Sequence, residues 1–371
     1  MSERKLEKLR KKMDDIDSKL ISLMADRLDV GGHIGKVKRG MGKEVRDEQR
    51  REDVLHHAEE FAKERNLDPI WVSEMMQKLM DESEKVQEKN IPIVAIQGER
   101  GAYSEAAIGK LLQEKAIVLP CETFLDVFDV LKSGEAEYAV LPIENSTEGS
   151  VNQVFDLLTE NNVNIHKEAF LRVEHCLMVA NGTSLASIQE VISHPQALAQ
   201  CRHYLEQKLP FVKAVPHYDT AGAAKTISQG KGRNVAAIAS KIAAKHYGLR
   251  LLEENIEDNK NNFTRFLLVS KMPVKEPENP KSSIVFSVKH EAGALFKAME
   301  PFSKKGINLT KIESRPKKGA PWNYVFYMDF EGDARKGKCA EALAELGKHA
   351  SEQRILGVYE KGVMDETVRT G

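Results

Sequence analysis

Cysteine is scarce in this 371-residue sequence, and the spacing of the cysteines excludes two kinds of protein. The four cysteines are far apart and form no CxxC pair, which argues against both a metal knuckle and a disulfide framework. An excess of charge of one sign is also absent, because 55 Lys and Arg face 56 Asp and Glu. The chain therefore lacks the basic field that would hold nucleic acid or an anionic membrane.

Long apolar runs are absent as well. No uninterrupted apolar stretch reaches membrane-spanning length, and the N-terminal segment MSERKLEKLRKK is charged where a signal peptide would be apolar. Hydrophobic residues make up 41% and charged residues 30% of the chain, as in ordinary globular proteins. We therefore expect a cytoplasmic protein with two or three domains, at roughly 150 residues each, and no nucleic-acid or membrane partner.

Residues 1–90 predict an all-α helical domain. Apolar residues recur at alternating spacings of three and four from Leu6 to Val37, which is typical of one long amphipathic helix. Two further helical patterns cover residues 46–65 and 69–88. Because two shorter helices cannot cover the whole apolar stripe, we expect a homodimer or a higher homo-oligomer.

Residues 91–272 predict an α/β domain, since short β-branched strands alternate there with helical segments. Residues 273–281 contain several prolines and lysines without periodicity, which indicates a linker. Residues 282–371 follow the order strand, helix, strand, strand, helix, strand, which predicts an α+β ferredoxin-like domain. The chain is therefore expected to be multidomain.

Three cations interrupt or flank the apolar seam of the first helix: Arg10, Arg27 and Lys38. A single arginine at such a position either sets the register or extends its head group to solvent. Three cations that converge inside a helical bundle must find anions to neutralise them. A small dicarboxylate would serve.

This pattern resembles the all-helical chorismate mutases that begin bifunctional chorismate mutase and prephenate dehydratase proteins. The resemblance includes the VRD sequence at residues 45–47, and it implies a pericyclic rearrangement of chorismate to prephenate without a nucleophile, metal or cofactor. It also implies that the arginines bind two carboxylates while a lysine and a glutamine contact the ether oxygen, which stabilises charge on the breaking bond. The implied site residues are Arg10, Arg27, Lys38, Asp47, Arg50, Ser83 and Gln87.

One position departs from that family pattern. Arg51 stands where the family has a glutamate that meets the substrate hydroxyl, and Glu52 is rotated by roughly 100° from that direction. Either Glu48 or Glu52 reaches the hydroxyl through a local distortion, or Arg51 turns outward and a water takes its place. A further alternative is that the helical domain only dimerises the chain.

Four segments of the α/β domain carry a polar residue near a helix start: 98–107, 142–151, 193–198 and 219–224. Each is either an ordinary N-cap or an anion site at a helix terminus. Together with the sequence NNFTRF, they resemble prephenate dehydratase over residues 93–270. The resemblance implies two α/β lobes, akin to type II periplasmic binding proteins, with the active site in the cleft between them.

The dehydratase reaction expels carbon dioxide and a hydroxyl group, and the departing hydroxide needs a proton or a strong donor. The resemblance implies Thr264 as the donor with Arg265 beside it, and neither a metal nor a nucleotide is required. Glu144 and His194 have suitable side chains for acid or base, although in a helix-starting loop such groups are more often structural. The implied residues of the cleft walls are Asn145, Ser146, Gln196, Thr220 and Phe266. A non-catalytic amino-acid sensor on a similar fold is the alternative.

Two segments of the last domain resemble the phenylalanine-binding ACT domain of the same family, which implies L-phenylalanine as a feedback effector. On packing grounds alone they are a helix start and a strand that cover a sheet. The resemblance lies in GAL and ESRP, and it implies an effector site at Gly293, Ala294, Leu295, Glu313, Ser314, Arg315 and Pro316.

Overall fold

The computed structural model describes residues 2–89, 91–230, 234–317 and 324–363. The expected domain ends at residues 90 and 371 lie outside the described residues. Three helices come first, and they confirm the helical N-terminal region: α1 (Ser2–Gly40), α2 (Glu48–Glu64) and α3 (Pro69–Glu88). Asp47 and Asp68 cap α2 and α3 by accepting hydrogen bonds from backbone N–H groups of the first turns.

Close packing of α1 against α3 depends on a glycine. A Cβ atom on Gly35 would lie 2.7 Å from the Cα of Gln87, so no larger residue fits there without moving α3. This approach brings Arg27, Ser83 and Gln87 to one wall of the helical domain.

A second face of α1 packs on the α/β part of the chain through residues seven apart. Ser22 Oγ donates to the carbonyl of His246 at 3.2 Å, and Lys36 forms an ion pair with Glu137 at 2.7 Å. Asp15 and Asp29 continue the same face and bind Asn181 and Arg100. The third face is the predicted apolar stripe, and it is exposed in the described chain at Leu6, Leu9, Met13, Ile16, Leu20, Leu23, Val30, Ile34 and Val37.

The first α/β lobe surrounds a sheet whose buried strands pack against helices on both sides. Its strands are β1 (Ile93–Gln97), β2 (Ile117–Cys121), β3 (Tyr138–Asn145), β4 (Gly149–Ser150), β5 (Asn164–Arg172) and β11 (Phe263–Ser270). Its helices are α4 (Tyr103–Leu111), α5 (Phe124–Ser133) and α6 (Asn152–Glu160).

The second lobe is inserted between β5 and β11 of the first. Its strands are β6 (Cys176–Val179), β7 (Glu190–Ser193), β8 (Lys213–Pro216), β9 (Val235–Ala239) and β10 (Arg250–Glu253), in the sheet order β10-β6-β9-β7-β8. Its helices are α7 (Pro195–Gln200), α8 (Arg202–Lys208), α9 (Thr220–Ser228) and α10 (Lys241–His246). The two lobes, each with its own sheet, agree with the α/β domain that the sequence predicts.

The last part of the chain has the predicted order of elements. They are β12 (Pro280–Val288), α11 (Ala294–Lys304), β13 (Leu309–Pro316), β14 (Tyr324–Glu331), α12 (Gly337–Gly347) and β15 (Ala350–Glu360). Its strands continue the sheet of the first lobe in the order β13-β14-β12-β15-β5-β11-β3-β1-β2. Gly357 permits this junction, because a Cβ there would lie 2.5 Å from the carbonyl oxygen of Ile165.

None of the helices in the described residues is both long and apolar enough to span a membrane.

Two candidate active sites

A cavity of about 380 Å³ lies where α1, α2 and α3 meet. Its volume is in the range of sites for small molecules. Six of the seven residues that the sequence predicts for the helical domain line it. The polar lining residues are Arg27, Lys38, Asp47, Arg50, Arg51, Ser83, Glu84 and Gln87.

Two cations in this cavity wall, Arg27 and Lys38, have no carboxylate partner within the described residues. Arg27 Nη1 donates to the carbonyl of Leu79 at 2.9 Å and to Ser83 Oγ at 2.8 Å, and burial lowers the pKa of Arg27. Lys38 Nζ donates to the carbonyl of Val45 at 2.5 Å. A partly buried cation without a counter-ion is costly, so an anionic ligand would be stabilised here.

Gln87 supplies a second sign of a ligand. Its side chain is 8% exposed, and its Oε1 atom is buried without a hydrogen-bond partner in the part of the chain that the structure describes. A buried polar atom without a partner costs about 1 to 3 kcal/mol. A ligand that fills the cavity would remove that cost.

Arg10 does not reach this cavity. It is exposed on α1, and the 17 residues that separate it from Arg27 correspond to about 25 Å along a helix. The expectation that three cations converge inside one bundle is therefore wrong for a single chain.

Arg51 turns from α2 towards α3. Its guanidinium forms ion pairs with Glu84 at 2.7 Å and Asp81 at 2.8 Å, and the hydrogen bonds that it donates to both carboxylates raise the pKa of Arg51. Glu48 and Glu52 are exposed, and Glu48 pairs with Arg46, so neither follows the suggested local distortion into the cavity. Sequence reasoning missed Glu84. The available signal was its position directly after Ser83, which the sequence already places in the site.

The second candidate site is centred on Thr264 of β11. Asn145 of β3 accepts hydrogen bonds at Oδ1 from the backbone N–H groups of Thr147 and Glu148, both at 3.0 Å. Those donors fix the amide orientation, so Nδ2 donates to Thr264 Oγ1 at 2.9 Å. Thr264 therefore accepts from Asn145 and keeps its own hydroxyl proton for another acceptor.

A chain of hydrogen bonds extends from Asn145 into the second lobe. Asn145 Nδ2 donates to Asn262 Oδ1 at 2.7 Å, and Asn262 Nδ2 donates to Gln200 Oε1 at 3.1 Å. The same Gln200 oxygen faces His175 Nε2 at 2.9 Å, and Tyr103 Oη lies 2.8 Å from His175 Nδ1. Burial lowers the pKa of His175, which keeps the imidazole neutral. Sequence reasoning included Asn262 only as part of NNFTRF and missed the other three.

Arg265 does not lie beside the Thr264 hydroxyl, so that prediction is wrong. Adjacent residues of a strand point to opposite faces. Arg265 points into a buried network of charged side chains and is itself only 4% exposed. It pairs with Glu168 at 2.7 Å and with Asp329 of β14 at 2.6 Å, and it donates to Tyr359 Oη at 3.0 Å. Its charge is thus used to join the last domain to β11.

Phe266 is also misplaced by the sequence prediction. Its side chain is 2% exposed and belongs to an apolar cluster with Ala169 and Val140, so it is a core residue. Ser146 orders the NNFTRF segment, because its Oγ accepts from the N–H of Phe263 at 2.9 Å and donates to the carbonyl of Asn261 at 3.1 Å.

Gln196 and Thr220 lie at the starts of α7 and α9 in the second lobe, and among the described residues neither bonds to the Thr264 cluster. Glu144 forms an ion pair with Lys311 at 2.9 Å, and His194 caps α7 through Nδ1. Both side chains thus have structural roles, Glu144 in an ion pair and His194 as a helix cap.

The two predicted effector segments line different cavities in one chain. Ala294 and Leu295 border a cavity of about 140 Å³ after the left-handed Gly293. Arg315 and Pro316 border one of about 390 Å³. Glu313 accepts a hydrogen bond from Ser150 Oγ at 2.5 Å. Ser314 lies between Glu313 and Arg315 on β13.

The helical domain thus holds a cavity lined by several cations, and the two-lobed α/β domain holds a polar cluster around Thr264. The prephenate dehydratase family model matches residues 94–274, and the chorismate mutase type II model matches residues 9–88. A bifunctional chorismate mutase/prephenate dehydratase of Aquifex aeolicus is 35% identical over 364 residues, which is 97% of this chain and 99% of that protein.

Solved structures match the part of the chain that follows the helical domain. The prephenate dehydratase of Arthrobacter aurescens in complex with L-Phe has a TM-score of 0.67 at 32% identity, covering 72% of this chain and 89% of that one. A structure described as GqqA, a novel type of quorum quenching acylase, has a TM-score of 0.67 at 37% identity, covering 72% of this chain and 97% of that one. The chain belongs to the family of bifunctional chorismate mutase/prephenate dehydratases, and both enzyme domains are present.

The buried network predicts the effect of replacing Arg265 with methionine. Arg265→Met removes the near cation of buried Asp329 and leaves Glu168 with Lys281 alone, and breaking a buried pair in this way typically costs about 3 to 5 kcal/mol. We expect this loss in the unfolding free energy of the α/β part, measured by urea titration of the full chain. Lys241→Met, which removes an exposed ion pair with Glu254, is the control and should change little. Unchanged stability together with lost turnover would instead return Arg265 to the cleft.

Proposed function

We propose that the helical cavity converts chorismate to prephenate and that the Thr264 cluster converts prephenate to phenylpyruvate, carbon dioxide and water. The observation that carries the proposal is the orientation of Thr264, whose oxygen accepts from Asn145 and whose proton stays available. The cavity with unpaired Arg27 and Lys38 supports the first step.

The mutase step needs no proton transfer. Arg27 is suited to a substrate carboxylate, while Lys38 and Gln87 are suited to the ether oxygen whose bond to the ring breaks. Negative charge grows on that oxygen in the transition state, and fixed donors stabilise it more than they stabilise the ground state. Holding the side chain over the ring supplies the remainder of the rate.

In the dehydratase step, the bond from the ring to its carboxylate breaks and releases carbon dioxide. The electron pair enters the ring, which becomes aromatic as the ring C–O bond breaks and hydroxide departs. Thr264 donates its proton to the departing oxygen, so that water leaves. Asn145 Nδ2 then stabilises the threonine oxygen until it regains a proton from solvent water.

This mechanism predicts a difference between two replacements of Thr264. Thr264→Val keeps the shape of the side chain and removes the donor, so we expect dehydratase turnover to fall by about 100-fold or more. Thr264→Ser keeps the hydroxyl and should retain most of the activity. Separate assays with chorismate and prephenate provide the measurement, and the mutase rate should stay constant in both variants. Equal turnover by the valine and serine variants would contradict the donor role.

The same two assays separate the alternatives. A chain that converts only prephenate is a monofunctional dehydratase with a helical dimerisation module. A chain that converts neither substrate yet binds L-phenylalanine is an amino-acid sensor.

A second copy of the chain would complete the mutase site. The exposed apolar stripe runs from Leu6 to Val37, so its midpoint lies near Ile21. Antiparallel pairing of two α1 helices about that midpoint brings Arg10 of the second copy opposite His33, beside cavity residues Gly31 and Ile34. The arrangement buries the stripe and supplies the missing cation.

Shared sites predict complementation between two inactive variants. Arg10→Ala and Arg27→Ala should each have very low mutase activity as homodimers. A dimer that contains one chain of each kind has one intact site, so random mixing by co-refolding should restore about a quarter of the wild-type rate. A mixture that stays inactive would show that Arg10 and Arg27 do not act across subunits, and dehydratase activity reports correct folding.

The last domain is proposed to be an ACT domain that binds L-phenylalanine. Its βαββαβ order supports this, as does the relative from Arthrobacter aurescens, described in complex with L-Phe. Because Ala294 and Leu295 border one cavity and Arg315 and Pro316 another in one chain, a site that uses both segments would form between two copies.

Gly293 provides a test with a matched control. Its φ of 77° is strained for any side chain, so Gly293→Ala should distort the GAL turn and weaken inhibition of the dehydratase by L-phenylalanine. Gly306→Ala adds similar strain at φ 59° beyond the other end of α11 and should leave inhibition unchanged. Calorimetry and rate measurements with L-phenylalanine check both. Equal inhibition in the two variants would argue against a site at Gly293.

A further inference from the structure

Two carboxylates line the helical cavity, and Glu84 is the more buried of them, since Asp47 is exposed. Asp47 also lines the cavity, but its Oδ1 caps α2 by accepting from the N–H of Arg50 at 3.0 Å. Glu84 uses Oε1 to pair with Arg51, and within the described residues its Oε2 has no hydrogen-bond partner. The side chain is 18% exposed.

Arg51 holds that carboxylate in place. Its two Nη atoms bind Glu84 and Asp81, which lie one turn apart on α3. Asp81 is half exposed and does not line the cavity, whereas Glu84 does. Since Arg51 is neutralised from within the domain, Arg27, Lys38 and Arg50 remain the cations for the substrate.

We propose that Glu84 accepts the hydrogen bond of the chorismate ring hydroxyl and that Arg51 is its positioning residue. The inference rests on the proposed mutase function. Chorismate carries two carboxylates, an ether oxygen and one hydroxyl, so that hydroxyl is its single strong donor. If that hydroxyl were buried in the cavity without an acceptor, the unsatisfied donor would cost about 1 to 3 kcal/mol. Glu84 stands between Ser83 and Gln87 on α3, on the same wall as the group proposed for the ether oxygen.

This role changes the expectation for position 51. The carboxylate that sequence comparison seeks on α2 is supplied from α3, while Arg51 on α2 supplies its counter-charge. Arg51→Glu would bring three carboxylates together at positions 51, 81 and 84, so it should lower mutase activity. The departure from the family pattern is thus compensated inside the same cavity.

The experiment compares Glu84→Gln with Asp81→Asn in the full chain. Both variants remove one ion pair of Arg51, but only the first changes the proposed substrate contact. Loss of a hydrogen bond to a charged group typically weakens an interaction by about 10- to 100-fold. We therefore expect kcat/KM for chorismate to fall by that factor in Glu84→Gln. Asp81→Asn should stay within about threefold of wild type, and the dehydratase rate should be constant in both.

A substrate analogue identifies the contact itself. The probe is chorismate with hydrogen in place of the ring hydroxyl, measured as a competitive inhibitor of the mutase. Wild type should bind it more weakly than chorismate, and Glu84→Gln should lose that discrimination. Glu84→Asp, which keeps the charge, should retain part of the discrimination if Glu84→Gln proves unstable.

Three outcomes would overturn the role of Glu84. They are equal losses in Glu84→Gln and Asp81→Asn, unchanged discrimination in Glu84→Gln, and higher mutase activity in Arg51→Glu. A wild-type chain without mutase activity would overturn the mutase function itself, and the Glu84 role would fail with it.

Discussion

The buried charge network around Arg265 determines how the α/β part of the molecule is assembled. Arg265 of β11 meets Glu168 of β5 and Asp329 of β14, and Lys281 of β12 binds the same Glu168 at 2.9 Å. Desolvation of these charges costs free energy, so the network contributes little net stability. It does fix the register of the strands, because each charge must meet its partner. A slip of one residue in β11 would leave charges unpaired on one face and move Thr264 out of the cleft on the other.

The opposite face of β11 has a different electrostatic character. Thr264 is surrounded by amides, whose orientation is fixed by backbone donors, and by groups that burial keeps neutral. The pKa of His175 is lowered and that of Tyr103 is raised well above its usual range, both mainly by burial. A neutral, ordered surrounding favours directed hydrogen bonding over charge transfer, which suits a hydroxyl donor that is a weak acid.

Local patterns in the sequence were sufficient for the elements but not for their charged contacts. The spacing of apolar residues predicts α1, and Asp68 followed by proline predicts the start of α3, because both depend on neighbouring residues only. The partner of Arg265 lies 64 residues away in Asp329, and the partner of Arg51 lies 33 residues away in Glu84. Many carboxylates could have satisfied either cation, so composition and periodicity could not select one. Arg10 was misplaced because helical spacing gives the direction of a side chain but not how far along the helix the cavity extends.

The helix α1 has three faces with different contacts, and it is longer than the helical domain alone requires. One face packs on α3 through small residues, and a second repeats every seven residues along the α/β lobes. The third carries the exposed apolar stripe. A helix of 39 residues is about 58 Å long, which exceeds what α2 and α3 can cover with 17 and 20 residues. The first half of α1 therefore has no role within the helical domain of its own chain. Its apolar stripe and Arg10 are exposed in the described chain, and that exposure supports the proposed pairing with a second copy.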